Sequence, residues 1–178
     1  HMAEGNPLSF LHVSKPEIDL PVGTDPYADE VYAKGAENLK RMIDSGSLYM
    51  DSKPKFYLYR QIMGEHSQVG LVAAASCADY QNSIIKKHEF TRPQKENDRV
   101  RHIESLLAQT GPVFLTYKSV AEMDTLFQEI IKKEPSVDFT ADDDVRHTSW
   151  DIDDEEAIQK ISDAFASIPF LYIADGHH

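Results

Sequence analysis

The chain has 178 residues, 41% hydrophobic and 27% charged, with 18 Lys and Arg against 30 Asp and Glu. The net charge of −12 opposes general binding to nucleic acid or anionic membranes, and eight Phe and eight Tyr exclude a disordered chain. No apolar run approaches the roughly 20 residues that span a bilayer, and the lone Cys77 permits neither an internal disulfide nor a zinc knuckle, so a cytoplasmic setting is the default.

His1-Met2 reads as a cloning scar, and residues 3–178 read as a single domain. Residues 3–24 carry Pro7, Pro16, Pro21 and Gly23 around short apolar pieces, which predicts an irregular arm. Asp25 and Pro26 form a helix entrance, Tyr32, Ala36, Leu39 and Ile43 follow at helical spacing, and Gly46 supplies the stop. Lys55 to Ile62 and Gln68 to Cys77 flank Met63–Ser67, a β-hairpin with a five-residue loop. Cys77 follows an apolar run and is expected to be buried and inert. The next helix runs from Pro93 to Gln109 with Val100, Ile103 and Leu107 as its buried stripe, and Pro112 to Tyr117 reads as a strand. Ser119 and Glu122 form a capping box ahead of an amphipathic helix carrying Met123, Leu126, Phe127 and Ile130.

Residues 136–141 and 145–152 flank Asp142-Asp143-Asp144, which predicts a second hairpin. These aspartates could collect Mg²⁺ or Ca²⁺, but the spaced ligands and glycine of an EF-hand loop are missing, and a turn built of aspartates is the simpler account. Asp153 and Glu156 cap a final helix with Ile158, Ile161, Phe165 and Ile168, and Pro169 to Ala174 reads as a buried strand. Two hairpins plus alternating helices and strands give an α/β chain of the mixed α+β kind, with helices packed on a mixed sheet. The chain stops at Asp175-Gly176-His177-His178, where α/β folds commonly bind ligands, and this reads as a fragment of a longer protein.

Chemistry concentrates in two segments. Lys86 to His102 holds six Lys and Arg and three acids, a net of +3 that leaves −15 for the rest of the chain. On a helix Lys95, Arg99 and His102 fall within about 60° of one another, flanking the core stripe without entering it. Such a stripe can hold phosphate or carboxylate groups through charge-assisted hydrogen bonds; the alternative is a solvated face with Glu96 and Glu104 as local pairs. His88-Glu89 lacks the second histidine of the zinc-protease helix, since position 92 is Arg. With no Cys cluster, neither zinc nor haem is expected. At the chain end Gly176 permits a tight turn after the strand, and Asp175 can coordinate a metal or orient a base. The alternative there is an Asp-Gly turn with exposed histidines.

Tyr172-Ile173-Ala174-Asp175-Gly176-His177-His178 resembles the signature of the bacterial and archaeal family called domain of unknown function 1015, in which an arginine and a helix follow. Asn6 to Val13, Lys86-Lys87-His88-Glu89, Asp98 to His102, Gln109 to Val113, Asp138 to Asp142 and Val145-Arg146-His147 resemble the family as well, covering nearly the whole chain from Asn6 onward. The Asp-Gly-His-His phrase is in turn similar to the Gly-x-x-Arg loop of the ParB-like superfamily, which includes partition proteins, sulfiredoxin and a kinase acting on free serine. That likeness implies a phosphate-gripping loop at Gly176, His177 and His178.

The expectation is a nucleotide-dependent phosphotransferase, or a degenerate relative, acting on a small polar metabolite, with this fragment itself inactive. Gly176, His177 and His178 would hold phosphates with help from Lys87, Arg99 and His102. Asp175 would hold Mg²⁺ or orient the acceptor, and His88 with Glu89 would perform acid–base work. That arrangement requires the strand near residue 86 to lie beside the last strand. The cofactors would be Mg²⁺ and a nucleoside phosphate, and the partner a small molecule, with no DNA, RNA or membrane; oligomerisation is left open. The alternative is a non-catalytic nucleotide- or metabolite-binding sensor, or a protein-interaction module.

Overall fold

A computed structural model describes residues 2–177. The elements in chain order are α1 (Leu11–Ser14), a 3₁₀ turn (Pro16–Asp19), α2 (Asp29–Asp44), β1 (Phe56–Met63), β2 (His66–Val72), α3 (Cys77–Gln81), β3 (Ile85–Lys86) and α4 (Pro93–Leu106). They continue with β4 (Phe114–Thr116), α5 (Ala121–Ile130), β5 (Val137–Thr140), β6 (Arg146–Ile152), α6 (Glu155–Ser167) and β7 (Leu171–Asp175). The fold is mixed α+β with two sheets, one of four strands in the order β2-β1-β6-β5 and one of three in the order β3-β7-β4. Among the described residues, no helix is long and apolar enough to cross a membrane.

The chain forms two compact units. One comprises Asp51–Lys86 and Thr116–Tyr172. Its four-stranded sheet is antiparallel throughout, with Leu58 opposite Trp150 in the β1–β6 pair. Leu58, Trp150 and Ile152 alternate onto one face and form a core with Met123, Phe127 and Ile130 of α5 and Ile161 of α6. Period-2 burial on the strands and helical spacing on α5 and α6 are what any two-layer packing demands. The Trp150 indole N–H, which burial would otherwise strand, donates to the Lys133 carbonyl at 3.0 Å.

The other unit is assembled from His1–Met50, Lys87–Leu115 and Ile173–His178. Val13 of α1, Leu39 and Met42 of α2 and Leu106 of α4 form its core. The N-terminal arm is therefore structured: Val13 is fully buried, and the Asn38 side chain ties the arm down by donating to the His12 carbonyl (2.7 Å) and to Asp19 (2.8 Å). His12 in turn sets Nδ1 on the Asp19 carboxylate (2.8 Å) and Nε2 on the Asn6 carbonyl (3.0 Å). Pairing of both ring nitrogens with acceptors makes the Asn6–Val13 phrase a folding device.

Several local expectations are corrected. Helix α2 begins at Asp29: Asp25 closes a turn of its own, accepting the Tyr27 N–H on its side chain and the Ala28 N–H on its carbonyl, and the extended backbone of Ala28, the N-cap, separates that turn from the helix. Its buried face is Val31, Tyr32, Gly35, Asn38, Leu39 and Met42, which leaves Ile43 outside. The first hairpin closes on two residues, with Met63 opposite His66 and Gly64 at φ 58°, as a turn with Gly in its first central position requires. Strand β2 ends at Val72, so Cys77 opens α3 as an exposed thiol instead of a buried one.

On α4 the buried residues are His102 and Leu106; Val100 is 46% exposed, and Leu107 leaves the helix in a left-handed conformation, 91% exposed. The predicted stripe is thus about one position out of phase, and a histidine enters the core. No capping box forms on α5: Ser119 donates to Asp124, and Val120 is the N-cap. On α6 the N-cap is Asp154, which accepts from the Ala157 N–H at 2.9 Å, one residue beyond the predicted Asp153. The aspartate hairpin forms, with Asp143 accepting the Val145 N–H and Asp144 at φ 64°. Strand β7 buries only Ile173, whereas Tyr172 is 50% exposed.

Candidate functional site

Strand β3 is two residues long, and its role is positional. It pairs in parallel with β7, Ile85 opposite Leu171 and Lys86 opposite Tyr172. The strand near residue 86 therefore does lie beside the last strand, and the chain leaving β3 runs alongside the chain leaving the middle of β7. Just beyond, His88 Nδ1 donates to the Ile173 carbonyl at 3.1 Å. A carbonyl can only accept, so this bond places a proton on Nδ1 and turns Nε2 toward the neighbouring side chains.

That nitrogen faces two neighbours. His88 Nε2 is 3.8 Å from Glu89 Oε1, and His177 Nε2 is 3.3 Å from the same oxygen. The two imidazole rings lie 5.3 Å apart, tilted by 39°. One donor atom from each of His88, Glu89 and His177 lies within 4.8 Å of the others. His177 is nearly enclosed, with 4% of its side chain exposed, while His88 and Glu89 are about half exposed.

A second feature occupies the same unit. Tyr27, Lys95, Asp98, Arg99, His102 and Ile103 line a cavity of about 400 Å³ together with Gln109 to Pro112 and Gly176. Gly176 has a structural reason to be glycine: its φ is 75°, and a Cβ there would stand 2.8 Å from the Pro112 carbonyl oxygen. The turn after β7 is thereby pressed against the turn after α4, with backbone exposed to the cavity. Charge on the α4 wall is organised by Asp98. Its Oδ2 accepts from Arg99 Nε (2.9 Å) and Nη2 (2.6 Å), and its Oδ1 accepts the Tyr32 hydroxyl at 2.7 Å. Burial and the adjacent Asp98 carboxylate push the Tyr32 hydroxyl up to about 12. Arg101 caps the arrangement, its guanidinium 4.2 Å over the Tyr32 ring and bonded to the Tyr27 carbonyl and Asp29.

The predicted site residues divide accordingly. His88, Glu89 and His177 converge in one cluster. Arg99, His102 and Gly176 line the cavity. Of these, His102 is 2% exposed and commits Nε2 to the Val13 carbonyl at 2.9 Å, tying α4 to α1. It enters the core because the helix face is rotated from the predicted one. Lys87 and Asp175 belong to neither group; Asp175 accepts the Gly176 N–H at 2.8 Å within its own turn. His178 lies outside the described residues. The sequence placed His88, Glu89 and His177 in one site but in separate roles, acid–base work and phosphate holding; their meeting as a three-donor cluster has no local signal beyond the adjacent His88-Glu89. Tyr27 gave no signal at all.

A family model described as protein of unknown function (DUF1015) matches residues 1–178, and the chain belongs to that family. No curated protein and no solved structure matches it.

Proposed function

We propose that this member of the family of unknown function 1015 is a nucleotide-dependent phosphotransferase acting on a small polar metabolite, with phosphate held in the cavity beside α4. The observation that carries this reading is the common lining of that cavity by Lys95 and Arg99, one turn apart on α4, and by the glycine turn after β7. Phosphoryl transfer asks a protein chiefly for positioned cations and close backbone approach. Lys95 supplies a mobile point charge and Arg99 a planar fork. Mg²⁺ would accompany the nucleotide, with Asp175 as its carboxylate.

A second reading, a non-catalytic sensor of a nucleotide or metabolite, is favoured by one detail. Asp98 is the carboxylate among the described lining residues, and both its oxygens are engaged by Tyr32 and Arg99. Such a group is part of the cavity wall, holding Arg99 and Tyr32 in place, as a binding site without a positioned base requires.

The test is a thermal-shift panel of ATP, ADP, CTP and GTP with and without Mg²⁺, followed by assay of phosphate transfer to hydroxyl acceptors. A ligand that binds the folded state alone stabilises it by about 2.7 kcal/mol at a hundredfold excess over Kd. The expected result is a shift with at least one nucleotide, reduced in Lys95→Ala and in Gly176→Ala. A shift without turnover supports the sensor; no shift with any nucleotide removes the phosphotransferase reading.

A further inference from the structure

We infer that His88, Glu89 and His177 form a binding site for a divalent transition-metal ion of the zinc, iron(II) or manganese(II) class. The inference is independent of what the cavity binds. Its first support is the donor set. Two neutral imidazoles and one carboxylate are the ligands that borderline first-row metals select, whereas Mg²⁺ and Ca²⁺ favour all-oxygen shells.

Its second support is spacing. Ligands bound at about 2.0–2.1 Å in tetrahedral geometry lie about 3.3–3.4 Å from one another. His177 Nε2 and Glu89 Oε1 are already 3.3 Å apart, and His88 Nε2 is 3.8 Å from that oxygen. Closing the remaining separations, all within 4.8 Å, takes only small rotations of side chains.

The third support is the partner behind His88. Metal-bound histidines characteristically donate their other ring N–H to a carbonyl or carboxylate, which orients the ring and raises its basicity. His88 does so to the Ile173 carbonyl. This backbone bond exists because β3 and β7 run parallel and in register, so the two chain segments carrying the ligands leave the sheet side by side. His177 is held in a nearly closed environment while His88 and Glu89 reach solvent, which gives an ion a route of entry. Three protein ligands leave a coordination position for water or a substrate oxygen, the arrangement of a reactive site as opposed to a closed structural one.

The competing account is an ordinary hydrogen-bonded cluster in which a protonated His177 pairs with Glu89. Titration of the chelator-treated full chain with Zn²⁺ and with Co²⁺ separates the two, read by calorimetry and by the visible ligand-field bands of bound Co²⁺. The expected result is one high-affinity ion per chain, weakened about a hundredfold or more in His88→Ala and about tenfold or more in Glu89→Gln. Both positions are half exposed, so circular dichroism of the metal-free variants should match the parent. His177→Ala removes the third ligand and serves as a further check. Absence of stoichiometric binding would overturn the site, as would equal affinity in the parent, His88→Ala and Glu89→Gln, which would assign the metal to other histidines.

Discussion

Tyr32 joins the core of its unit to the cavity wall. The ring is buried, its hydroxyl donates to Asp98, and Asp98 holds Arg99 with its other oxygen. Tyr32→Phe leaves that carboxylate oxygen unpaired in a partly buried position and should cost about 1–3 kcal/mol, measurable by urea unfolding. The pH dependence has a defined sign. A folded-state pKa raised from 10.0 to about 12 contributes stability that is complete below pH 10 and is lost as pH rises toward 12. Tyr32→Phe should flatten the alkaline limb over that interval; an unchanged limb would exclude Tyr32 as its source. The residue types at this site were legible in the sequence, since Arg99 and Lys95 stood out as a cationic stripe. Their partners were not, because Tyr32 is 66 positions from Asp98 and nothing local links the two.

At the scale of elements, α4 shows how far periodicity reaches. Its start at Pro93 follows from proline chemistry, and its position in the chain from composition. Which face turns inward depends on α1 and α2, whose Val13 carbonyl and Leu39 accept His102 and Leu106. The apolar Val100 and Leu107 are therefore left outside, and Leu107 closes the helix at φ 52°, ψ 32°. An L-residue in the left-handed region costs about 1–2 kcal/mol, which glycine avoids at the expense of a more flexible unfolded chain. Leu107→Gly should raise stability by about 0.5–1 kcal/mol and raise Tm accordingly, with no change at the cavity. A fall in Tm would mean that the Leu107 side chain packs usefully despite its exposure. The two hairpins, by contrast, were legible because turn chemistry is local, and α5 and α6 because their stripes are continuous.

At the scale of the whole molecule, an excess of twelve negative charges needs management, and part of it is local pairing. Lys55 lies between Asp51 (2.8 Å) and Asp151 (2.6 Å). Hydrogen bonds from Lys55 hold both carboxyls below the ordinary carboxylate range, and those same bonds raise the Lys55 ammonium. Depressed folded-state carboxyl pKa values supply stability above about pH 4 that disappears as pH falls through them; the raised lysine supplies stability that persists until strongly alkaline pH. Lys55→Met should therefore lower Tm most near neutrality, with the deficit shrinking below about pH 4. A deficit independent of pH would show that packing of the lysine stem, and not charge, is what Lys55 contributes.

The sequence by itself determined most of the longer elements, the mixed α+β class, the core of α5 and α6, the family and the residue types able to carry chemistry. Those properties follow from period, turn chemistry and side-chain identity, which act over a few residues. Tertiary structure decided which of those residues meet. Parallel pairing of β3 with β7 brings His177 to His88 and Glu89, and the rotation of α4 sends His102 into the core while Lys95 and Arg99 line the cavity. Those outcomes depend on contacts between segments tens of residues apart, whose free energies no local pattern encodes.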